Sequence, residues 1–116
     1  MNYHRMLYEA TAWLLMLRVQ MKRYPFSTVV SRYLEESAFT DSGERAVDSV
    51  AVLLALDRNG EPMTAEIINR LEQNLAELKV SGFPENDRTC IEADLKTVKT
   101  VIEWYRTTEG KILNTP

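Results

Sequence analysis

Residues Val50–Leu56 read VAVLLAL, seven consecutive apolar side chains with no polar position among them. Such a run fits either a buried strand or a helix that is covered on every side. Helix is favoured because the apolar pattern continues upstream through Ala46 and Val47, which gives a length more usual for helices. We therefore predict a helix that begins near Asp41 or Ser42 and lies in the middle of a bundle.

Further helical patterns flank this segment on both sides, separated by short turn-forming clusters. Their apolar positions recur at spacings of three and four, the period of one helical face. The predicted helices run from about Asn2 to Arg23, from Ser27 or Thr28 through Leu34, from Thr64 to Val80 and from about Glu85 to Glu109. Gly60 is suited to the left-handed cap that ends the central helix.

The predicted fold class is therefore all-α, a compact bundle of about five helices in a single domain spanning residues 1–116. The last two helices are joined by a short loop that contains Gly82 and Pro84. Matching apolar stripes on two helices joined in this way are typical of an antiparallel helical hairpin, and we expect the bundle to end in one.

Composition places the chain among ordinary globular proteins, with 45% hydrophobic and 27% charged residues over 116 positions. The single cysteine, Cys90, has no partner for an internal disulfide, so nothing indicates an oxidising compartment. The longest apolar runs fall well short of the roughly 20 residues that a membrane-spanning helix needs. We expect a cytoplasmic protein that does not associate with membranes.

The sequence contains no recognisable catalytic constellation. His4 is the only histidine and lies in the first turn of the first helix, which makes it a poor candidate for a general base. Asp41, Glu44 and Asp48 share one face of the central helix and could together hold Mg²⁺ or Ca²⁺. The same pattern arises from a solvated face with favourable negative charge near a helix N-terminus. We predict no enzymatic activity, cofactor or metal, and keep a carboxylate metalloenzyme as a third hypothesis.

The first helix is apolar on more sides than a surface helix requires. Its segment Ala10–Pro25 reads ATAWLLMLRVQMKRYP and ends in a group of basic residues. One interpretation is a second central helix, covered all round. In the other, Trp13, Met16 and Tyr8 meet another chain, and the inner face is formed by Leu7, Leu14, Leu17 and Met21. The sequence leaves both interpretations open.

Charge is distributed unevenly along the chain. Residues 1–25 contain four basic residues and one acidic residue, whereas the remainder contains ten basic and sixteen acidic residues. Together with the apolar first helix, this asymmetry favours a non-enzymatic protein-binding module of the inhibitor, immunity or chaperone-like kind. We expect a protein partner, with self-association into a homodimer, through Trp13, Met16, Arg18, Lys22, Arg23 and Tyr24. An acidic counterpart could be a different protein or a second copy's Glu35, Glu36, Asp41, Glu44 and Asp48.

Binding to nucleic acid is the alternative function. Arginine and lysine interleaved with aromatic residues are suited to gripping phosphates and stacking on bases. Residues of these types cluster around the junction of the first two helices: Arg18, Lys22, Arg23 and Arg32, with Tyr24, Phe26 and Tyr33. The acidic remainder of the chain opposes this hypothesis. If it holds, the protein is nucleic-acid-associated or a small subunit of a ribonucleoprotein complex.

Overall fold

Five α-helices make up most of residues 2–113, the part of the chain that the computed structural model describes, and the structure is 76% helical. The helices are α1 (Tyr3–Gln20), α2 (Phe26–Ser37), α3 (Ser42–Asn59), α4 (Ala65–Leu75) and α5 (Glu85–Thr107). The predicted compact all-α fold is confirmed. None of the helices in this range combines the length and apolar character needed to cross a membrane.

Helix α3 is the centre of the bundle and contacts all four other helices. Its start is capped by the Asp41 side chain, which accepts a hydrogen bond from the backbone N–H of Glu44 at 2.9 Å. Its end is capped by Gly60, whose φ of 61° is the left-handed conformation that glycine adopts without strain. The buried residues of α3 include Val50, Ala51, Val52, Leu53 and Leu56. The predicted central helix is thereby confirmed.

The core consists of two neighbouring clusters of buried side chains. The larger cluster draws residues from all five helices and from Met63 between α3 and α4. The smaller one contains Tyr3, Val47, Phe83 and Ile91, and fastens the N-terminal end of α1 to α3 and α5. The hydroxyl of Tyr3 donates to Asp94 Oδ2 at 2.6 Å, so the polar atom of this buried ring is satisfied. These contacts fix which side of α1 faces inward.

Two very short strands connect the two ends of the chain's second half. They are β1 (Met63–Thr64) and β2 (Ile112–Leu113), which pair in parallel with Met63 opposite Ile112. The Met63 N–H also donates to the Lys111 carbonyl at 2.9 Å. These strands were not predicted, because two residues are too few to show a period.

Three helices end earlier than predicted. Helix α5 stops at Thr107, two residues before the predicted Glu109. Helix α1 stops at Gln20 and not at Arg23, because Met21 leaves the helical conformation with φ −109° and ψ 33°. Residues 21–24 form a turn that leads into Pro25. Helix α4 stops at Leu75 and not at Val80. The early end lets Leu78 and Val80 pack against the smaller core cluster, and residues 80–82 form a 3₁₀ turn.

Helices α4 and α5 contact each other, and each packs more extensively on α3 than on the other. Arg106 of α5 donates to Glu72 Oε2 and to Asn69 Oδ1 of α4, both at 2.8 Å. The antiparallel hairpin stays a prediction.

Candidate protein-interaction surface

Helix α1 is covered on one side only. Its buried residues are Tyr3, Ala10, Leu14 and Leu17, which face α3, α2 and α5. Leu7 and Met21, predicted on the same face, are half-buried and pack against the larger cluster. The second interpretation of this helix therefore matches the structure in its geometry: a single inner face is buried and the remaining apolar residues meet solvent.

The exposed apolar residues of α1 form a continuous band, here named the outer stripe: Tyr8, Ala12, Leu15, Met16 and Val19. Their spacing places them on one face of the helix. Tyr8 is 74% exposed, Leu15 56% and Val19 73%. Residues 8 and 19 are eleven apart, so the stripe is about 16 Å long. A contiguous exposed apolar band on a folded protein is typical of an interaction site.

A groove of about 350 Å³ lies beside the N-terminal half of α1, between that helix, α2 and α3. Four carboxylates line it, from Glu9 on α1, Glu36 on α2, and Glu44 and Asp48 on α3. None of the lining residues in the described part of the chain is basic. We name this feature the acidic groove. It brings together acidic residues that are up to 39 positions apart in the sequence.

The floor of the acidic groove is a hydrogen-bonded network around Asp48. The buried Tyr33 hydroxyl donates to Asp48 Oδ1 at 3.2 Å and to the Ala10 carbonyl at 2.9 Å. The Ser37 hydroxyl donates to the other carboxylate oxygen of Asp48. This network joins one residue from α1, two from α2 and one from α3, and so sets the shape of the groove.

Two carboxylates of the groove, Asp48 and Glu44, have a raised pKa. Burial raises the pKa of Asp48, and the charge of Asp41 adds to the increase, while the hydrogen bonds from Ser37 and Tyr33 oppose it. Desolvation raises the pKa of Glu44, and the charges of Asp41, Asp48 and Glu9 raise it further. Asp48 and Glu44 thus lie in the negative potential of neighbouring carboxylates, which favours the approach of a cation.

Trp13 stands between the outer stripe and the acidic groove. It is 44% exposed, and its indole Nε1–H donates to Glu36 Oε2 at 2.9 Å. Glu36 also forms an ion pair with Arg32, with 3.5 Å between Nε and Oε1. The predicted contact residue Trp13 is therefore fixed to the groove wall, with its ring at the rim, and Met16 is 40% exposed on the stripe itself.

The predicted contact residues at the C-terminal end of α1 separate into two groups. Lys22, Arg23 and Tyr24 lie in the turn that follows α1 and are exposed, and neither Lys22 nor Arg23 forms an ion pair within residues 2–113. Arg18 instead binds Glu61 at 2.9 Å, and its guanidinium lies 4.3 Å from the centre of the Phe26 ring. Arg18 therefore joins α1 to α2 and to the segment after α3. We name Lys22 and Arg23 the basic end.

The remaining candidates for metal binding or catalysis do not lie together in the structure. Asp41 caps α3, and Glu35 is exposed on α2 without lining the groove. His4 lies 3.8 Å from Asp87 at the surface, and Cys90 is exposed on α5. Within the described range, no three His, Cys, Asp or Glu side chains are arranged to hold a metal ion.

Several residues of this surface were not predicted from the sequence. Leu15 and Val19 were recognised as apolar but not assigned to the contact face, although their spacing from Tyr8 and Ala12 could have identified it. Glu9 could not be identified as part of an acidic group, because the other carboxylates of the groove come from other helices.

Comparison of the chain with protein-family models, curated proteins and solved structures finds no match in any of the three. The geometry of the outer stripe and of the acidic groove is therefore the basis for assigning a function.

Proposed function

We propose that this protein is a non-enzymatic protein-binding module that binds its partner through the outer stripe of α1. The observation that carries the proposal is the exposure of Tyr8, Leu15 and Val19 along a helix whose opposite side is anchored in the core. Full burial of a large apolar side chain stabilises by about 1.5–3 kcal/mol, so covering this band offers a substantial part of a binding free energy.

The surroundings of the outer stripe support the same function. Protein interfaces combine an apolar centre, often containing tyrosine, tryptophan and methionine, with a charged rim. Here Tyr8, Met16 and Trp13 lie in or beside the stripe, with the acidic groove near its N-terminal half and the basic end beyond its C-terminal half. An inhibitor, immunity or chaperone-like role requires such a surface and no catalytic residue.

The test is an affinity capture from a lysate of the source cell or its host with three immobilised baits. They are the unmodified protein, Leu15→Glu with Val19→Glu, and a control with Thr89→Glu and Ala93→Glu. The control places two glutamates at the same spacing on exposed positions of α5. Circular dichroism checks that all three baits are folded. We expect a stoichiometric protein on the first and third baits that is lost from the second.

Equal capture of that protein by the stripe variant would refute the proposed contact face. Each lysate is also divided into nuclease-treated and untreated halves. Recovery in the untreated half only would instead support the nucleic-acid alternative. With Arg18 and Arg32 engaged by carboxylates, that alternative depends mainly on Lys22 and Arg23. It predicts a shallow salt dependence, with a slope of log K against log salt of about −1 to −2.

A further inference from the structure

The two ends of the outer stripe carry opposite charge. Lys22 and Arg23 follow its C-terminal end and are without ion-pair partners among the described residues. Glu9 and Glu44 border the acidic groove beside its N-terminal half. Within residues 2–113, the only ion pair that involves these two carboxylates joins Glu9 to Arg5, both of them well exposed, and such surface pairs are weak. The surface therefore has an available cation at one end and an available anion at the other.

This arrangement is complementary to itself when two copies meet in opposite directions. An α-helix rises 1.5 Å per residue, so a crossing between Leu15 and Met16 has Tyr8 about 11 Å to one side and Gln20, the last residue of α1, about 7 Å to the other. The basic end lies in the turn that follows Gln20. In an antiparallel pair, the basic end of each copy then lies beside the helical turn of the other copy that contains Tyr8 and Glu9. The same contact occurs twice, as the two-fold symmetry of a homodimer requires.

We propose that the occupant of the outer stripe is a second copy of this chain, with the two α1 helices packed antiparallel and each basic end against the other copy's acidic groove. The inference rests on the proposed function, because it names the partner of the same surface. The apolar residues fit this register, since the small Ala12 of one copy faces Val19 of the other and Leu15 faces Met16. Arg23 of each copy approaches the other's Tyr8 ring, a cation–π pair.

The size of the surface sets the expected affinity. One helix face with its flanking charges buries less area than the roughly 1,600 Å² of a standard stable interface. We therefore expect a reversible dimer with a dissociation constant on the order of 10–100 µM. Sedimentation equilibrium of the purified protein from about 5 to 500 µM measures it. Leu15→Glu with Val19→Glu should leave only monomer, while the Thr89→Glu and Ala93→Glu control should dimerise like the unmodified protein.

A charge exchange tests the antiparallel register. One variant carries Lys22→Glu and Arg23→Glu, and the other carries Glu9→Lys and Glu44→Lys. Each homodimer then places like charges at both contacts, so we expect each variant alone to dimerise at least tenfold more weakly. In an equimolar mixture every basic group again faces an acidic one, and we expect a heterodimer of about the original affinity. Native mass spectrometry distinguishes the heterodimer from both homodimers by mass.

The outcomes separate this inference from the proposed function. Monomer at all concentrations overturns the inference, and the function stands if the lysate experiment still shows a stripe-dependent partner. A dimer that tolerates both charge variants, or a mixture that associates no better than its components, also overturns it, because another surface or register is then in use. If the stripe variant behaves like the unmodified protein in both experiments, the inference and the proposed function fail together.

Discussion

Tyr33→Phe tests whether the floor of the acidic groove holds α1, α2 and α3 together. The Tyr33 side chain is 2% exposed, and its hydroxyl is shared between the Ala10 carbonyl at 2.9 Å and Asp48 Oδ1 at 3.2 Å. Phenylalanine keeps the ring and its packing but leaves Asp48 with the Ser37 hydroxyl as its remaining donor. A hydrogen bond to a charged group contributes about 1.5–3 kcal/mol. We expect the free energy of unfolding to fall by about 2 kcal/mol at neutral pH.

Urea denaturation followed by tryptophan fluorescence and circular dichroism measures this loss. With a slope of about 1.5 kcal/mol per molar urea for a domain of this size, the midpoint should fall by roughly 1.3 M. The matched control is Tyr24→Phe, because Tyr24 is 60% exposed. Removal of its hydroxyl should change the free energy of unfolding by less than about 0.5 kcal/mol.

The effect of Tyr33→Phe should depend on pH. The Tyr33 hydrogen bond lowers the pKa of Asp48 against the increase caused by burial, so the variant should have a higher Asp48 pKa than the unmodified protein. The bond therefore stabilises the ionised carboxylate, and its contribution is lost as pH falls through the pKa of Asp48 in the folded protein. A loss below about 0.5 kcal/mol at neutral pH, or an equal loss near pH 4, would refute the reasoning.

Three further perturbations test the caps and the buried tyrosines. Asp41→Ala removes the cap of α3, and thermal unfolding should show a loss of about 1 kcal/mol that Asp41→Asn largely avoids. Gly60→Ala places a Cβ on a residue with a φ of 61°, 3.4 Å from the Trp104 ring. We expect it to lower the free energy of unfolding by about 1–2 kcal/mol in the same assay. The control, Gly82→Ala, places its Cβ with no atom within 4 Å and should lower it less. Burial raises the pKa of three tyrosines, that of Tyr105 to about 12. The neutral side chains of these tyrosines therefore stabilise the fold fully below a pH of about 10, and this stabilisation is lost as pH rises through their pKa values in the folded protein. Phenolate absorbance of Tyr3, Tyr33 and Tyr105 that appears while circular dichroism is unchanged would contradict this.

Most of the helical architecture could be predicted from local sequence. The capping side chain of Asp41 and the left-handed Gly60 act within a few residues of their own position, so their roles are visible without the fold. The early end of α4 at Leu75 could not be predicted, because Leu78 and Val80 lie beyond the helix and pack against the smaller core cluster. That cluster contains Tyr3, which is far away in the sequence.

Part of the candidate interaction surface could also be predicted from local sequence, and part could not. The apolar excess of α1 and its basic end are properties of one segment and are evident in the sequence. The pairing of Arg18 with Glu61, 43 residues away, is not evident there, because it depends on the fold. Arg18 stays a predicted contact residue. The acidic groove likewise requires Glu9, Glu36 and Glu44 to approach from three helices.

The helical character of the chain and the central place of α3 follow from local sequence, because an apolar run with no polar side must be surrounded. Local sequence did not determine which side of α1 is covered, since an apolar residue on a helix has the same local pattern whether it meets a neighbour or solvent. The covered side of α1 depends on how the helices pack. Helices α2, α3 and α5 contact α1 on the side of its buried residues, and the outer stripe has no helix of the described chain over it.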